Sequence, residues 1–233
     1  MVQTKILPTI TTTEPFKGGT SWRDKIKELR RLKIEEVSLF LTVLEKDERQ
    51  ELYNLLEKES IKRIPHVHLR NDMTNEELDY LVSRHKTEVF NTHPRRQYPP
   101  IYDWNKHLKN IYIENAKTIP EREELEVFGG ICLDFSHWEE AVLKKRQDYN
   151  SFIDLITSFS VGCGHLSAIS VNSNLGLEDK LSCHYAENPS QLDYFEKYLS
   201  YAPPVISLEL NNSLAEQLEI KKYIEINILR NYD

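Results

Sequence analysis

A chain of 233 residues can bury one substantial core, and 39% hydrophobic with 29% charged residues is ordinary for a globular protein in water. Its 37 acidic against 30 basic side chains, a net charge of −7, disfavour broad binding to nucleic acid or to anionic membrane. No apolar run approaches the roughly 18 residues of a membrane helix, and the first twenty residues hold no signal-peptide core. Cys132, Cys163 and Cys183 are odd in number and lack CxxC spacing, so a reducing, cytoplasmic setting is expected, without a disulfide framework.

In chain order, residues 6–10 form a short apolar segment, and Ser21 is placed to cap a helix over 22–32 in which Ile26, Leu29 and Leu32 share a face. A strand is expected at 36–43, a helix at 47–59, and a strand at 63–69 in spite of Pro65. Thr74 with Glu77 three residues later reads as a capping box opening the next helix. Strands follow at 87–92, 110–114 and 130–134, with helical stretches near 104–108 and at 120–128, 138–146 and 149–159. The remaining elements are a strand at 166–172, a helix at 191–201, a strand at 205–209 and a helix at 213–223. Short apolar runs alternating with helices mean parallel strands and right-handed crossovers. Eight such units predict an α/β fold, a single-domain (β/α)8 TIM barrel over residues 1–233. No GxGxxG or Walker loop follows any strand, which weakens a nucleotide-binding open sheet.

Several of these strands end in an acid or a histidine: His66 and His68, His93, Glu114, Asp134 followed by His137, and Glu209. Side chains alternate across a strand, so parity tests whether these residues share a face. His66 with His68, Asn91 with His93, Tyr112 with Glu114, Cys132 with Asp134, and Ser207 with Glu209 each oppose an apolar face that can pack on helices. The polar faces therefore point into the barrel, and the metal-ligand residue types converge at one mouth. His85 and His107, in helices, and His165, placed before its strand at the opposite barrel face, are expected to be structural or solvated. Arg95 and Arg96, just past the fourth strand, suit a phosphate or sugar phosphate, or are simply a solvated loop.

The carrying residues are Pro65-His66, His93-Pro94, Glu114-Asn115, Asp134-x-x-His137 and Glu209, spread over essentially the whole chain. In this pattern the sequence resembles the xylose-isomerase-like TIM-barrel superfamily of sugar isomerases, epimerases and endonuclease IV-like AP endonucleases. The resemblance implies a divalent metal (Mn, Zn, Mg or Co) on Glu114, Asp134 and Glu209, with a histidine from strand seven. Its nuclease branch adds metals on the histidines of strands three and four, here His66 and His93, on His137, and on an Asp-x-His pair. The sequence departs from that pattern twice. Ser170 falls where strand seven should supply its histidine, and Ser182-Cys183-His184 keeps the histidine of the pair but not the acid. His68, His184 or water could fill the missing place.

Two chemistries follow as expectations. An isomerase or epimerase acting on a small carbohydrate-like substrate would use Glu114 and Glu209 as its acid/base pair, His66 and His93 on substrate oxygens, and the metal to stabilise an enediolate. A phosphodiesterase would use the metals to activate water and clamp a phosphate. A barrel that has lost its metal and serves as a binding or sensor protein is the third reading. A homo-oligomer is compatible with the sequence, and nothing in it decides that state.

Overall fold

Strands are short here, and each is bounded by the residue that starts or stops it. The computed structural model describes residues 4–13, 18–170 and 181–231. The strands are β1 Lys5–Leu7, β2 Thr9–Thr11, β3 Ser38–Phe40, β4 His66–His68, β5 Val89–Thr92, β6 Ile111–Glu114, β7 Gly130–Asp134, β8 Val161–Leu166, β9 Ala168–Ile169, β10 Ser182–Cys183 and β11 Val205–Leu208. Nine of them form one parallel sheet in the order β1-β11-β8-β7-β6-β5-β4-β3-β2, while β9 and β10 pair antiparallel beside it. The two ends of that order, β1 and β2, are separated only by Pro8. Proline has no N–H to give to a ladder, so the strand changes partner there. β1 pairs with β11, β2 pairs with β3, and the Pro8 carbonyl accepts from the Ser38 amide at 2.9 Å. The sheet is thus a nearly closed barrel.

The helices are α1 Trp22–Leu32, α2 Lys46–Leu56, α3 Asn75–His85, α4 Arg122–Val127, α5 Phe135–Leu143, α6 Phe152–Ser158 and α7 Leu214–Asn227, with a 3-10 stretch at Pro189–Tyr201 where a helix over 191–201 was expected. Their starts are chemical. Ser21 caps α1, Thr74 caps α3, and Ser213 with Glu216 makes a capping box on α7. Lys33 and Lys86 close α1 and α3 in the left-handed conformation. The outward faces of the strands, including Ile6, Leu39, Val67, Ile113, Leu133 and Leu208, are fully buried in one hydrophobic core. No helix among the described residues is long and apolar enough to cross a membrane.

The seam at Pro8 is tied by buried polar groups. Lys25 reaches from α1 to donate to Thr11 Oγ1 and the Leu210 carbonyl, both at 2.7 Å, and more loosely to the Thr9 carbonyl. Gln217 bonds both the amide and the carbonyl of Thr9, and the Leu210 carbonyl as well. At the N-terminal end of the barrel Lys5, Glu36, Arg63 and Glu88 form a chain of ion pairs beside a cavity of about 440 Å3 into which Tyr112 and Gly162 face.

Strand seven lies elsewhere than expected. The predicted span 166–172 is replaced in the barrel by β8, Val161–Leu166, and residues 171 and 172 lie outside the described residues. The cause is local: β8 reads Val-Gly-Cys-Gly-His-Leu, and two glycines in six residues mimic a turn. Both glycines make room. A Cβ on Gly162 would fall 2.1 Å from the Tyr112 ring, and one on Gly164 would sit 2.9 Å from the Leu133 carbonyl oxygen and from the Phe135 ring. His165 is consequently inside a barrel strand and wholly buried, not before it at the opposite face. Ser170 follows β9 and belongs to no barrel strand.

Two outcomes check this architecture. Gly162→Ala should destabilise the protein by about 1–3 kcal/mol in urea unfolding, the usual cost of overpacking, and Tyr112→Leu should remove most of that cost. Burial lowers the Lys25 pKa to about 7 from 10.5. Between those values the unfolded chain binds more protons than the folded one, so the Lys25 contribution makes stability rise with pH and vanishes as a slope below about 7. Lys25→Met should therefore show a smaller gain in unfolding free energy from pH 7 to pH 9.5 than the parent, by up to about 1.4 kcal/mol per pH unit.

Candidate metal centre

Strand ends β6, β7, β8 and β11 are adjacent in the sheet, so the residues that finish them must meet. Asn115 locks two of these ends together: its side-chain amide donates to the Asp134 carbonyl at 2.9 Å, and its oxygen accepts the Asp134 amide at 2.8 Å. Glu209 is set by its own backbone, whose amide donates to Leu166 and whose carbonyl accepts from Ser167 Oγ. The result is three carboxylates around one imidazole nitrogen. His165 Nδ1 lies 3.5 Å from Glu114 Oε2, 3.6 Å from Glu209 Oε2 and 3.9 Å from Asp134 Oδ2.

These separations are informative. Two donors that share an ion at about 2.1 Å each stand about 3.4 Å apart at a tetrahedral angle. Good hydrogen bonds to a ring N–H would be nearer 2.9 Å, and both His165 Nδ1 and Asp134 Oδ2 are buried with no hydrogen-bond partner among the described residues. Glu114 and Asp134 also offer oxygens within 4.8 Å of each other and of His165. Two like charges that close cost about 3 kcal/mol at an effective dielectric of about 20. A divalent cation would relieve the repulsion and satisfy both orphaned atoms, so the donor group of Glu114, Asp134 and His165 fits a metal ion, with Glu209 Oε2 3.6 Å from the same imidazole nitrogen.

Each donor is held from behind. Asp134 Oδ1 accepts from Ser136 Oγ at 2.6 Å and from the His137 amide at 2.8 Å, capping α5, while Oδ2 faces His165. Capping thus occupies one oxygen of the carboxylate and leaves the other to the candidate donor group. His165 Nε2 lies 3.5 Å from Cys132 Sγ, which suits an N–H donated to sulfur and leaves the Nδ1 lone pair to the carboxylate side. Burial holds the His165 pKa well below its ordinary value in spite of Glu114. Burial opposes charge on Glu114, but the imidazoles of His165, His68 and His93 hold its carboxyl well below the usual carboxylate range. Burial, reinforced by Glu114 and offset by His137, raises the Asp134 pKa.

A second donor group shares Glu114. His68, His93 and Glu114 present ligand atoms within 4.8 Å of one another. His68 Nδ1 faces the Leu69 carbonyl at 2.9 Å, the usual outer hydrogen bond of a metal-binding imidazole, and Nε2 meets Glu114 Oε2 at 3.0 Å. His93 is half-buried between His68 and Tyr98, and burial lowers its pKa to about 4. His66 sits one layer deeper, with Nδ1 on Ser207 Oγ at 2.7 Å and Nε2 on Asn91 Oδ1 at 3.0 Å. His68 therefore occupies the place at the mouth expected of His66.

His137 Nε2 is 3.9 Å from Asp134 Oδ2, and His137 Nδ1 is 3.8 Å from Glu140 Oε2. Burial lowers its pKa, but Asp134, Glu140, Glu114 and Glu209 together raise it to about 9. A protonated His137 supplies counter-charge to the acids, which a bound cation would displace. His184 Nε2 reaches Glu209 Oε1 at 3.6 Å. Ser182, where the resemblance would have an acid, donates its hydroxyl to Glu140 Oε2 at 2.7 Å. The arginines turn away from this centre. Arg95 lies over the Phe128 ring at 4.7 Å, and Arg96 bonds Thr118, the Ile119 carbonyl and Glu121.

Of the residues singled out from the sequence, Glu114, Asp134, Glu209, His93, His137 and His184 gather at the mouth, His66 lies beneath, and the two arginines are spent on protein contacts. His165 and Asn115 complete the centre. The signal for His165 was its parity with Cys163 in a glycine-broken strand. No family model matches the chain, and no curated protein matches it.

Removal of His165 should separate this geometry from the one centred on Ser170. In calorimetric titration of metal-free protein with Mn2+ or Zn2+, His165→Gln should weaken the tightest site by at least roughly a hundredfold. Ser170→Ala should leave it unchanged, and the reverse pattern would remove His165 from the centre.

Proposed function

We propose that this chain is a divalent-metal-dependent isomerase or epimerase of the xylose-isomerase-like kind, acting on a small sugar, polyol or sugar phosphate. Counted as one strand bent at Pro8, β1 and β2 bring the parallel sheet to eight strands, which supports reading it as a (β/α)8 barrel. The observation that carries the reading is the approach of Glu114 and Glu209 to His165, from β6 on one side of β8 and from the end of β11 on the other. Two carboxylates so placed can take a proton from a carbon next to a carbonyl and return it to the neighbouring carbon or the opposite face. The ion, when bound, polarises the adjacent substrate oxygens.

The residues differ in how they can act. Glu114 is nearly inaccessible and tied by the Asn91 amide at 2.8 Å and by His68, so it holds its charge and position. Glu209 keeps 15% of its side chain exposed and is the acid nearer the mouth, better placed to exchange a proton with substrate. The half-buried His93 and His184 border the same opening and can orient hydroxyl groups. The net charge of −7 and the engaged arginines also favour a small substrate over a polyanion.

One observation favours a second reading. Glu114 belongs to two neighbouring donor groups, one with Asp134 and His165, one with His68 and His93. A carboxylate shared by two subsites suits a two-metal phosphodiesterase, in which paired ions clamp a phosphate and activate water.

Metal analysis of protein purified without chelator decides between binding and none, with Glu114→Gln and Glu209→Gln as controls. At least one divalent ion per chain is expected, falling in both variants. No ion even after added Mn2+ or Zn2+ would end both enzyme readings. Solvent deuterium entering a panel of ketoses, lost in Glu209→Gln, is the outcome expected of the isomerase. Cleavage of an abasic-site duplex without such exchange would move the assignment to the phosphodiesterase.

A further inference from the structure

Arg95 and Arg96 turn away from the carboxylates, but the loop they hold borders them. That loop follows β5 and is pinned on both sides of Tyr98. Before it, the Gln97 and Tyr98 amides donate to the Pro94 carbonyl at 2.9 and 3.2 Å. The Arg95 amide donates to Glu124 Oε1 at 2.7 Å, and the Arg96 side chain donates to Thr118, Ile119 and Glu121. After it, Asn71 Nδ2 donates to the Pro99 carbonyl at 3.1 Å, and the Asn71 carbonyl accepts the Ile101 amide at 2.8 Å. Pro99 and Pro100 fix two further φ angles between those anchors.

The ring so placed has two different sides. One meets the donor groups: the Tyr98 ring lies 5.1 Å from that of His93, which lies 4.8 Å from that of His68. His68 and His93 are the two histidines that share Glu114. The rest is open, for Tyr98 is 51% exposed. A single exposed apolar side chain is ordinary on a protein surface. An aromatic ring whose backbone is pinned beside a polar, half-buried cluster is different, because little ordering remains to be done when a ligand covers it.

Taking from the isomerase reading that the mouth binds a sugar, on which this step rests, we propose that Tyr98 is the stacking wall of that site. The carbon–hydrogen face of a five- or six-carbon ketose lies on the ring while the sugar's oxygens meet the ion and His93. An aromatic face is electron-rich, and sugar C–H bonds are polarised by their oxygens, so the two attract as the face leaves water. Sugar oxygens lie around the rim, which makes edge contacts to the centre compatible with a face contact to Tyr98. A three-carbon ketose offers the same oxygens but too little face. Tyr98 thus selects the length of the substrate and takes no part in moving its proton.

Solvent deuterium entering D-fructose or D-xylulose reads turnover, and saturation-transfer NMR with the same sugars reads contact whether or not turnover occurs. Tyr98→Ala should raise KM for the ketose by about tenfold and leave kcat within about twofold, the signature of lost uniform binding. Its saturation of the sugar's carbon-bound protons should largely vanish. Tyr98→Phe should behave as wild type, since the face and not the hydroxyl is used, and both variants should keep the bound ion. Exchange into dihydroxyacetone should respond to neither change. Tyr98-dependent contact without any exchange would end the isomerase chemistry and leave the wall standing. An unchanged KM in Tyr98→Ala, no contact with either sugar, or a wild-type dimer that Tyr98→Ala dissociates overturns the proposal.

Discussion

The structure depends on one electrostatic problem: three carboxylates brought to a single buried nitrogen. Glu114, Asp134 and Glu209 end strands that the barrel forces together around His165, and no arginine or lysine is paired with Glu114 or Asp134 among the contacts described. Burying unpaired carboxylates costs far more than a fold with a typical margin of 5–15 kcal/mol can absorb without compensation. The compensation visible in the chain is partial. His68 and Asn91 serve Glu114, the α5 terminus serves one oxygen of Asp134, and a protonated His137 supplies charge nearby. The bare atoms that remain, Asp134 Oδ2 and His165 Nδ1, face each other across the space an ion would fill.

Much of the framework answers to local rules. The caps at Ser21, Thr74 and Ser213, the strand parity that sends His66, Glu114 and Asp134 inward, and the run at 130–134 are all readable from residue type and spacing. Strand seven is not, because its glycines are there for tertiary reasons. Gly162 admits the Tyr112 ring and Gly164 admits the Leu133 carbonyl and the Phe135 ring, neighbours that no single-segment reading contains. A strand over 166–172 would put Ser170 at the ligand position and leave His165 outside it, whereas β8 holds His165 within the barrel. The arginines failed differently: Arg95 and Arg96 follow the fourth strand, but a loop residue's direction is set by Phe128, Thr118 and Glu121, which lie more than twenty positions away.

Polar continuity distinguishes this interior from an ordinary barrel core. From the mouth downward, Glu114 orients Asn91, Asn91 orients His66, and His66 meets Ser207, which pairs across the barrel with Ser38. Every link is buried, and a chain of this kind specifies the position of each member more narrowly than apolar packing would. It also means that a change at Glu114 is felt two layers below it.

The same continuity bears on how an Asp three residues before a His should be read. Helix capping is the common explanation of that spacing, and here it is correct: Asp134 caps α5 through Oδ1. Capping nonetheless orients the carboxylate so that Oδ2 lies 3.9 Å from His165 Nδ1, and it places His137 on the first turn, also 3.9 Å from that oxygen. A structural role for one atom thus sets the direction of the next. The strand end supplies the backbone position, the helix start supplies the orientation, and the charge left over at Oδ2 is what a cation at the barrel mouth would meet.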